Sequence, residues 1–306
     1  MSTFHDTRED LPGRPDDDKG AQPTPKAAVG FPSADYRPDV GGDLPPDIRR
    51  FNPGEDVPTN GFVLVAGARR QGKTEQVLEM LRTFHAQKRF TTYMLVSQTL
   101  SGYEEYIPAN HSVRDMSQLP TIIDKQIDVA EYNAQQTEEK DMVHSSVCVI
   151  LDDVIGDVSE IRKQSSILQA LAVQGRHIHR DDKLKKNEFC VIFITQRLAG
   201  IVPPVIRNNC DLLISSRMSN RKDRQTVIEE NLTLTSDRAG IQVSRDIFDK
   251  ITTSKPYRFI AIANHIATRR GYGDYVMYAD ADPDSPACRL CGTTDDWRTK
   301  KKRIHF

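Results

Sequence analysis

The segment Gly67-Ala-Arg-Arg-Gln-Gly72-Lys73-Thr74 constrains this chain more than any other. It fits the spacing G-x-x-x-x-G-K-[ST], and its flanks fit too. Before it, Gly61-Phe-Val-Leu-Val-Ala66 is short, apolar and β-branched, the pattern of a strand buried on both faces. After it, Val77, Leu78, Leu81 and Phe84 recur at helical spacing between about Lys73 and Ala86. A glycine-rich turn between such elements converges its backbone N–H groups on one point, and the helix aims the positive end of its dipole there. Phosphate oxygens suit that point. Lys73 adds an ammonium for the β and γ phosphates, and Thr74 a hydroxyl for Mg²⁺. Gly67, Ala68, Arg69, Arg70, Gln71, Gly72, Lys73 and Thr74 are therefore the candidate binding residues for ATP with Mg²⁺. The bland alternative is a chance match in a basic loop, which the combination of strand, glycines, Lys-Thr and helix argues against.

Further runs repeat the alternation. Thr91–Val96, Val147–Leu151, Phe189–Ile194 and Asp211–Ile214 read as strands. Residues 121–142 read as a polar helix, and Ile161 to Gln174 as a helix with Ile167, Leu168, Leu171 and Ala172 apolar. Strands alternating with helices predict an α/β fold, a mostly parallel sheet with helices on both faces. Tyr257–Ile262 and Tyr275–Tyr278 are candidate edge strands. No internal repeat is evident.

Two strand ends carry chemistry. Val149-Ile-Leu-Asp152-Asp153 puts paired carboxylates where α/β sheets bind ligands. Asp152 suits Mg²⁺, directly or through water, and Asp153 suits orienting and deprotonating an attacking water. The competing reading is a pair of turn or capping aspartates. Ile192-Phe-Ile-Thr195-Gln196-Arg197 ends in an amide that could sense a γ-phosphate or position water, or merely bond its own loop.

The organisation expected is a leader over 1–58, a core over 59–216, its continuation over 217–282, and a basic tail over 283–306. Residues 1–58 hold ten of the 17 prolines and carry 12 acidic against seven basic residues. Such a segment buries too little apolar surface to fold and reads as disordered, or as an extended arm. With 42 Lys+Arg against 43 Asp+Glu the whole chain is near neutral, which does not suggest coating nucleic acid by charge alone. No apolar run is long enough to span a bilayer, and the first thirty residues have no signal-peptide pattern. Five cysteines, three of them in apolar runs, read as reduced thiols of a soluble intracellular protein. Cys288-Arg-Leu-Cys291 has the spacing of half a zinc site, with His305 as a distant third ligand, but two free thiols in a turn is the simpler reading. Lys183-Leu-Lys185-Lys186 and Lys300-Lys-Lys-Arg303 could track DNA phosphates or be solvated loops. Tyr257, Phe259, Tyr272 and Tyr275 read as packing residues rather than a base-stacking platform.

The motifs GARRQGKT, VILDDV and IFITQR, with Gln174-Gly-Arg176-His177 and Val202-Pro-Pro-Val-Ile-Arg207-Asn-Asn, resemble the FtsK–HerA superfamily of P-loop ATPases over about residues 60–216. The likeness is nearest to genome-packaging ATPases of nucleocytoplasmic large DNA viruses and virophages. Most of that superfamily has Glu where this chain has Asp153. The resemblance implies a RecA/ASCE-like core in a homo-oligomeric ring of five or six subunits. It implies hydrolysis of ATP to pull double-stranded DNA through the pore into a capsid, docked on a capsid or portal protein, at the site of virus assembly or in the virion. It also implies an arginine acting from the neighbouring subunit, with Arg176 favoured over Arg180 and Arg207. Two other classes fit the loop. A phage-type large terminase would need a nuclease domain, and only about 90 residues follow the fifth strand, with Asp280, Asp282 and Asp284 clustered in one loop. A nucleotide-binding adaptor would need no hydrolysis, which leaves the Asp pair and Gln196 without a task.

Overall fold

The computed structural model describes residues 44, 47–99, 102–114, 116–152, 154, 158–179, 187–281, 288 and 290. In chain order the elements are β1 (Arg49–Arg50), α1 (Pro53–Asp56), β2 (Phe62–Ala66), α2 (Lys73–Ala86), β3 (Thr92–Ser97), β4 (Ser112–Val113), α3 (Leu119–Gln135), β5 (Val147–Asp152), α4 (Val158–Gln174), β6 (Phe189–Thr195), α5 (Pro204–Asn208), β7 (Leu212–Ser215), α6 (Arg221–Val227), α7 (Arg238–Thr253), β8 (Arg258–Ala263) and β9 (Val276–Asp280). The strands form one sheet in the order β1-β9-β8-β7-β2-β6-β5-β3-β4.

Burial explains the arrangement. Every residue of β2, β3, β6 and β7 is buried, as are the first five of β5. A strand apolar on both faces must be covered on both, and the crossovers supply the cover. The chain steps across the sheet one way from β2 to β3 and the other way from β3 to β5 to β6. Right-handed crossovers therefore put α2 on one face and α3 and α4 on the other. From α2, Val77, Leu78, Met80, Leu81 and Phe84 enter the core, and from α4 Leu168, Leu171 and Ala172.

Four expectations need correction. The folded body does not start at Thr59. Ile48, Phe51 and Val57 are buried, β1 pairs with β9, and Asp56 receives the Arg49 guanidinium. A few apolar anchors among prolines and acids were enough to dock residues that composition had assigned to the leader. The runs at 257–262 and 275–278 are not edge strands. They become β8 and β9, with β8 antiparallel to both β7 and β9, and β1 outside them and parallel to β9. The expected fifth strand starts one residue later, because Asp211 accepts the Phe62 amide through its side chain. The polar helix stops at Gln135, where buried Asn133 bonds both backbone groups of Val143 and turns the chain back.

Cys148, Cys190 and Cys210 are buried free thiols, and Cys288 is a partly buried one. Among the described residues no helix is long and apolar enough to cross a membrane. If residues 47–57 belong to the folded body, Phe51→Ala should lower stability by about 3–5 kcal/mol. A drop in the urea unfolding midpoint reads this, and an unchanged midpoint would return the segment to the leader.

Candidate functional site

The five central parallel strands end almost level. Ala66 pairs with Thr195 on one side and with Ser215 on the other, Asp152 pairs with Ile194, and Ser97 pairs with Asp152. The loop after β2 thus opens on the same edge as the carboxylate of β5 and the amide after β6. Strand β6 lies between loop strand and acid strand, which puts those two about 10 Å apart at ordinary strand spacing.

The loop is held tightly at its start. The Gly67 amide donates to the Thr195 carbonyl (3.2 Å), and the Ser216 amide donates to the Ala66 carbonyl (3.0 Å). A Cβ on Gly67 would lie 1.9 Å from Ser216 Oγ, so any side chain there forces Ser216 to move. At the far end Gly72 has φ 78 and precedes α2 with no side chain capping the helix. The left-handed turn suits glycine, and it leaves the first-turn amides of α2 facing the loop, the arrangement that binds anions. Lys73 Nζ donates to the Ala68 carbonyl (2.8 Å), which holds the ammonium over the loop it would serve.

Across the sheet edge, Gln196 Oε1 accepts from Arg69 Nε (2.9 Å). Sequence left open whether this amide bonded its own loop, and it bonds Arg69 of the phosphate-type loop. The turn that carries it is fixed by Asp223, 2 % exposed, which accepts from Arg197 Nε (2.8 Å) and from the Leu198 and Ala199 amides (3.0 and 2.7 Å). Asp223 belongs to the first turn of α6, far along the chain, and no sequence pattern singles it out.

A second residue that sequence did not suggest is Tyr103. Gly102, with φ 88, brings the segment after β3 against Thr74, and its Cβ position lies 3.3 Å from Thr74 Cγ2. The Tyr103 phenol, 1 % exposed, donates to Asp152 Oδ2 (3.0 Å). Burial first, and the Asp152 charge second, push this phenol well above the usual tyrosine range, so it stays a neutral donor. Tyr103 thus holds Asp152 while the residue before it lies against Thr74, so the Thr74 hydroxyl and the Asp152 carboxylate are brought to one edge. Both are hard oxygen donors of the kind Mg²⁺ takes, and they fit that ion. A Gly-Tyr pair a few residues beyond a buried strand was the only local signal.

The arginine candidates divide. Arg207 is 8 % exposed, bidentate to Glu230 (2.8 and 2.7 Å) and bonded to the Val202 carbonyl. Its guanidinium is committed inside the chain, so it is withdrawn as a group reaching a neighbour. Arg176 is exposed and bonds Asn209 Oδ1 (2.7 Å). Gly175 touches Phe189, the first residue of β6, so Arg176 sits at the strand-start edge. That edge lies about 16 Å, the rise of a five-residue strand, from the loop of the same chain. Asp153, Arg180, Lys183, Lys185, Lys186, Cys291 and Lys300–Arg303 lie outside the described residues. Cys288 is described, with its thiol pushed up by burial, and among the described residues no cluster of three His, Cys, Asp or Glu could hold a metal.

Residues 56–275 match the model of the Poxvirus A32 protein family. The chain belongs to that family. Comparison with curated proteins finds no match. Among solved structures, the chain is similar to B204, the DNA-packaging ATPase of Sulfolobus turreted icosahedral virus, at 14% identity over 72% of this chain and 97% of that one, TM-score 0.43. It is also similar to the pCW3 conjugation coupling protein TcpA, at 13% identity over 72% of this chain and 59% of that one, TM-score 0.44. A third is the cytoplasmic domain of the type VII secretion ATPase EccC from Thermomonospora curvata, at 12% identity over 73% and 25%, TM-score 0.41. The A32 match takes in the loop, Asp152, Arg176, Gln196 and Tyr257 together.

The Gly67–Ser216 contact makes a specific prediction. Gly67→Ala should destabilise the protein by about 1–3 kcal/mol through overpacking. Adding Ser216→Gly should restore the thermal midpoint, while Ser216→Gly alone should leave it nearly unchanged.

Proposed function

We propose that this chain hydrolyses ATP with Mg²⁺ at the edge carrying Gly67–Thr74, and that it works as a ring driving double-stranded DNA into a capsid. It belongs to a family of viral genome-packaging ATPases. The observation that carries the reading is one sheet edge bearing the uncapped start of α2, Lys73 held over its loop and Asp152 held by Tyr103.

In this proposal the loop amides from Ala68 to Lys73 grip the phosphates, and Lys73 neutralises charge on the β and γ groups. Thr74 and Asp152 would hold Mg²⁺, whose chemistry when bound is to draw charge from the phosphate oxygens. Asp153 deprotonates water, and Gln196, tethered to Arg69, reports the γ-phosphate to the loop. Arg176 completes the site of the adjoining subunit. Its distance from its own loop and its exposure support a role in trans. The same reading extends to a capsid or portal partner and to the basic segments 183–186 and 300–303 as phosphate contacts.

Lys73→Ala should lower ATP turnover by at least about a hundredfold, and duplex DNA should raise the wild-type rate but not the variant's. Phosphate release with and without DNA measures both. Turnover by the folded Lys73→Ala protein at the wild-type rate would end the hydrolysis reading, and a DNA-independent monomer would favour an adaptor. Arg176→Ala should also be inactive by itself. Mixing it with Lys73→Ala should recover activity, because some interfaces then pair an intact Lys73 with an intact Arg176. Mixtures that stay silent would remove Arg176 from the site.

A further inference from the structure

Tyr257 was expected to pack like Phe259 and Tyr275, which are both fully buried. It does not. It is 50% exposed, and it lies between the end of α7 and the start of β8 with φ 58. A bulky residue in the left-handed region is strained, by about 1–2 kcal/mol, and persists only where its surroundings hold it. Here the Ala281 amide bonds the Tyr257 carbonyl (3.3 Å), and the Arg258 amide bonds Lys255 (3.3 Å). The backbone is pinned by the β8–β9 pairing, and the ring is aimed at the loop. A Cβ on Gly72 would lie 3.1 Å from the ring's Cδ1 and 3.5 Å from its Cγ.

One side of the ring therefore rests on the residue just before Lys73, and half the side chain is open to solvent. Among the described residues it stacks on no other ring. We propose that Tyr257 is the platform on which the nucleobase of the bound nucleoside triphosphate stacks. The inference rests on the phosphate-site reading and extends it to the rest of the ligand. A triphosphate gripped by Gly67–Thr74 leaves its base to find a surface beside the loop, and an exposed aromatic ring there gains from covering by another ring. Stacking on a π-face tolerates any base, since every base has one. The site then discriminates nucleotide from bare polyphosphate, and not adenine from guanine.

The test measures binding of a nonhydrolysable ATP analogue, the matching GTP analogue and inorganic tripolyphosphate to the full chain. Wild type is compared with Tyr257→Phe and Tyr257→Gly, the glycine relieving the backbone strain so that folding is preserved. Thermal midpoints are recorded alongside. Tyr257→Gly should weaken both nucleotide analogues by about 5- to 100-fold, Tyr257→Phe by less than about twofold, and tripolyphosphate should bind all three proteins alike. If Tyr257→Gly weakens tripolyphosphate as much as nucleotide, the ring only props the loop and the platform is overturned while the phosphate site stands. Unchanged nucleotide binding by Tyr257→Gly overturns it as well. If wild type binds neither nucleotide nor tripolyphosphate, the phosphate site itself fails and the platform with it.

Discussion

Pairing of β2 with β6 on one side and β7 on the other leaves residue 67 nowhere to go but into the Ser216 side chain. That contact crowds any Cβ, and the Gly67 and Ser216 amides bonded to Thr195 and Ala66 hold the loop's start against the sheet. From there the chain must reach the start of α2, which the left-handed Gly72 allows without a side chain in the way. The helix amides then face the loop because the sheet and α2 are both anchored, by Val77, Leu81 and Phe84 beneath and by the buried β2 beside them. Anion affinity at this edge follows from packing several residues away.

The strand between β2 and β5 organises the rest. Because β6 intervenes, the acid strand and the loop strand lie two strand spacings apart, and side chains from neighbouring segments work across that gap. Gln196 crosses it towards Arg69, supported by Asp223. Tyr103 holds Asp152, and Gly102 before it lies against Thr74. Arg176 is at the opposite edge, away from the loop of its own chain. In the proposed ring, one chain supplies the grip on the phosphates and its neighbour supplies the positive charge.

Several pieces were legible in the sequence for a plain reason. A strand buried on both faces must be an unbroken apolar run, so Phe62–Ala66, Val147–Leu151 and Phe189–Ile194 were visible. The loop was visible because its glycines and Lys-Thr answer to local geometry. Arg49–Arg50 was not, since two exposed arginines carry no strand pattern of their own and are held on β9 between buried Ile48 and Phe51. Nor was the direction of β8 and β9, which depends on the long path through α6 and α7. Arg207 looked available in sequence, and only Glu230, in the turn just after α6, shows it to be committed.

By itself, then, the sequence determined the sheet's central strands, the phosphate-type loop and the acid at the end of β5, because each answers to neighbours along the chain. The tertiary structure alone decided which distant side chains meet there. Ser216 crowds any side chain at 67, Asp223 fixes the Gln196 turn, Tyr103 holds Asp152, and Tyr257 covers Gly72. Those meetings depend on strand order and crossover direction, which are set by how whole faces bury one another, and no run of adjacent residues encodes them.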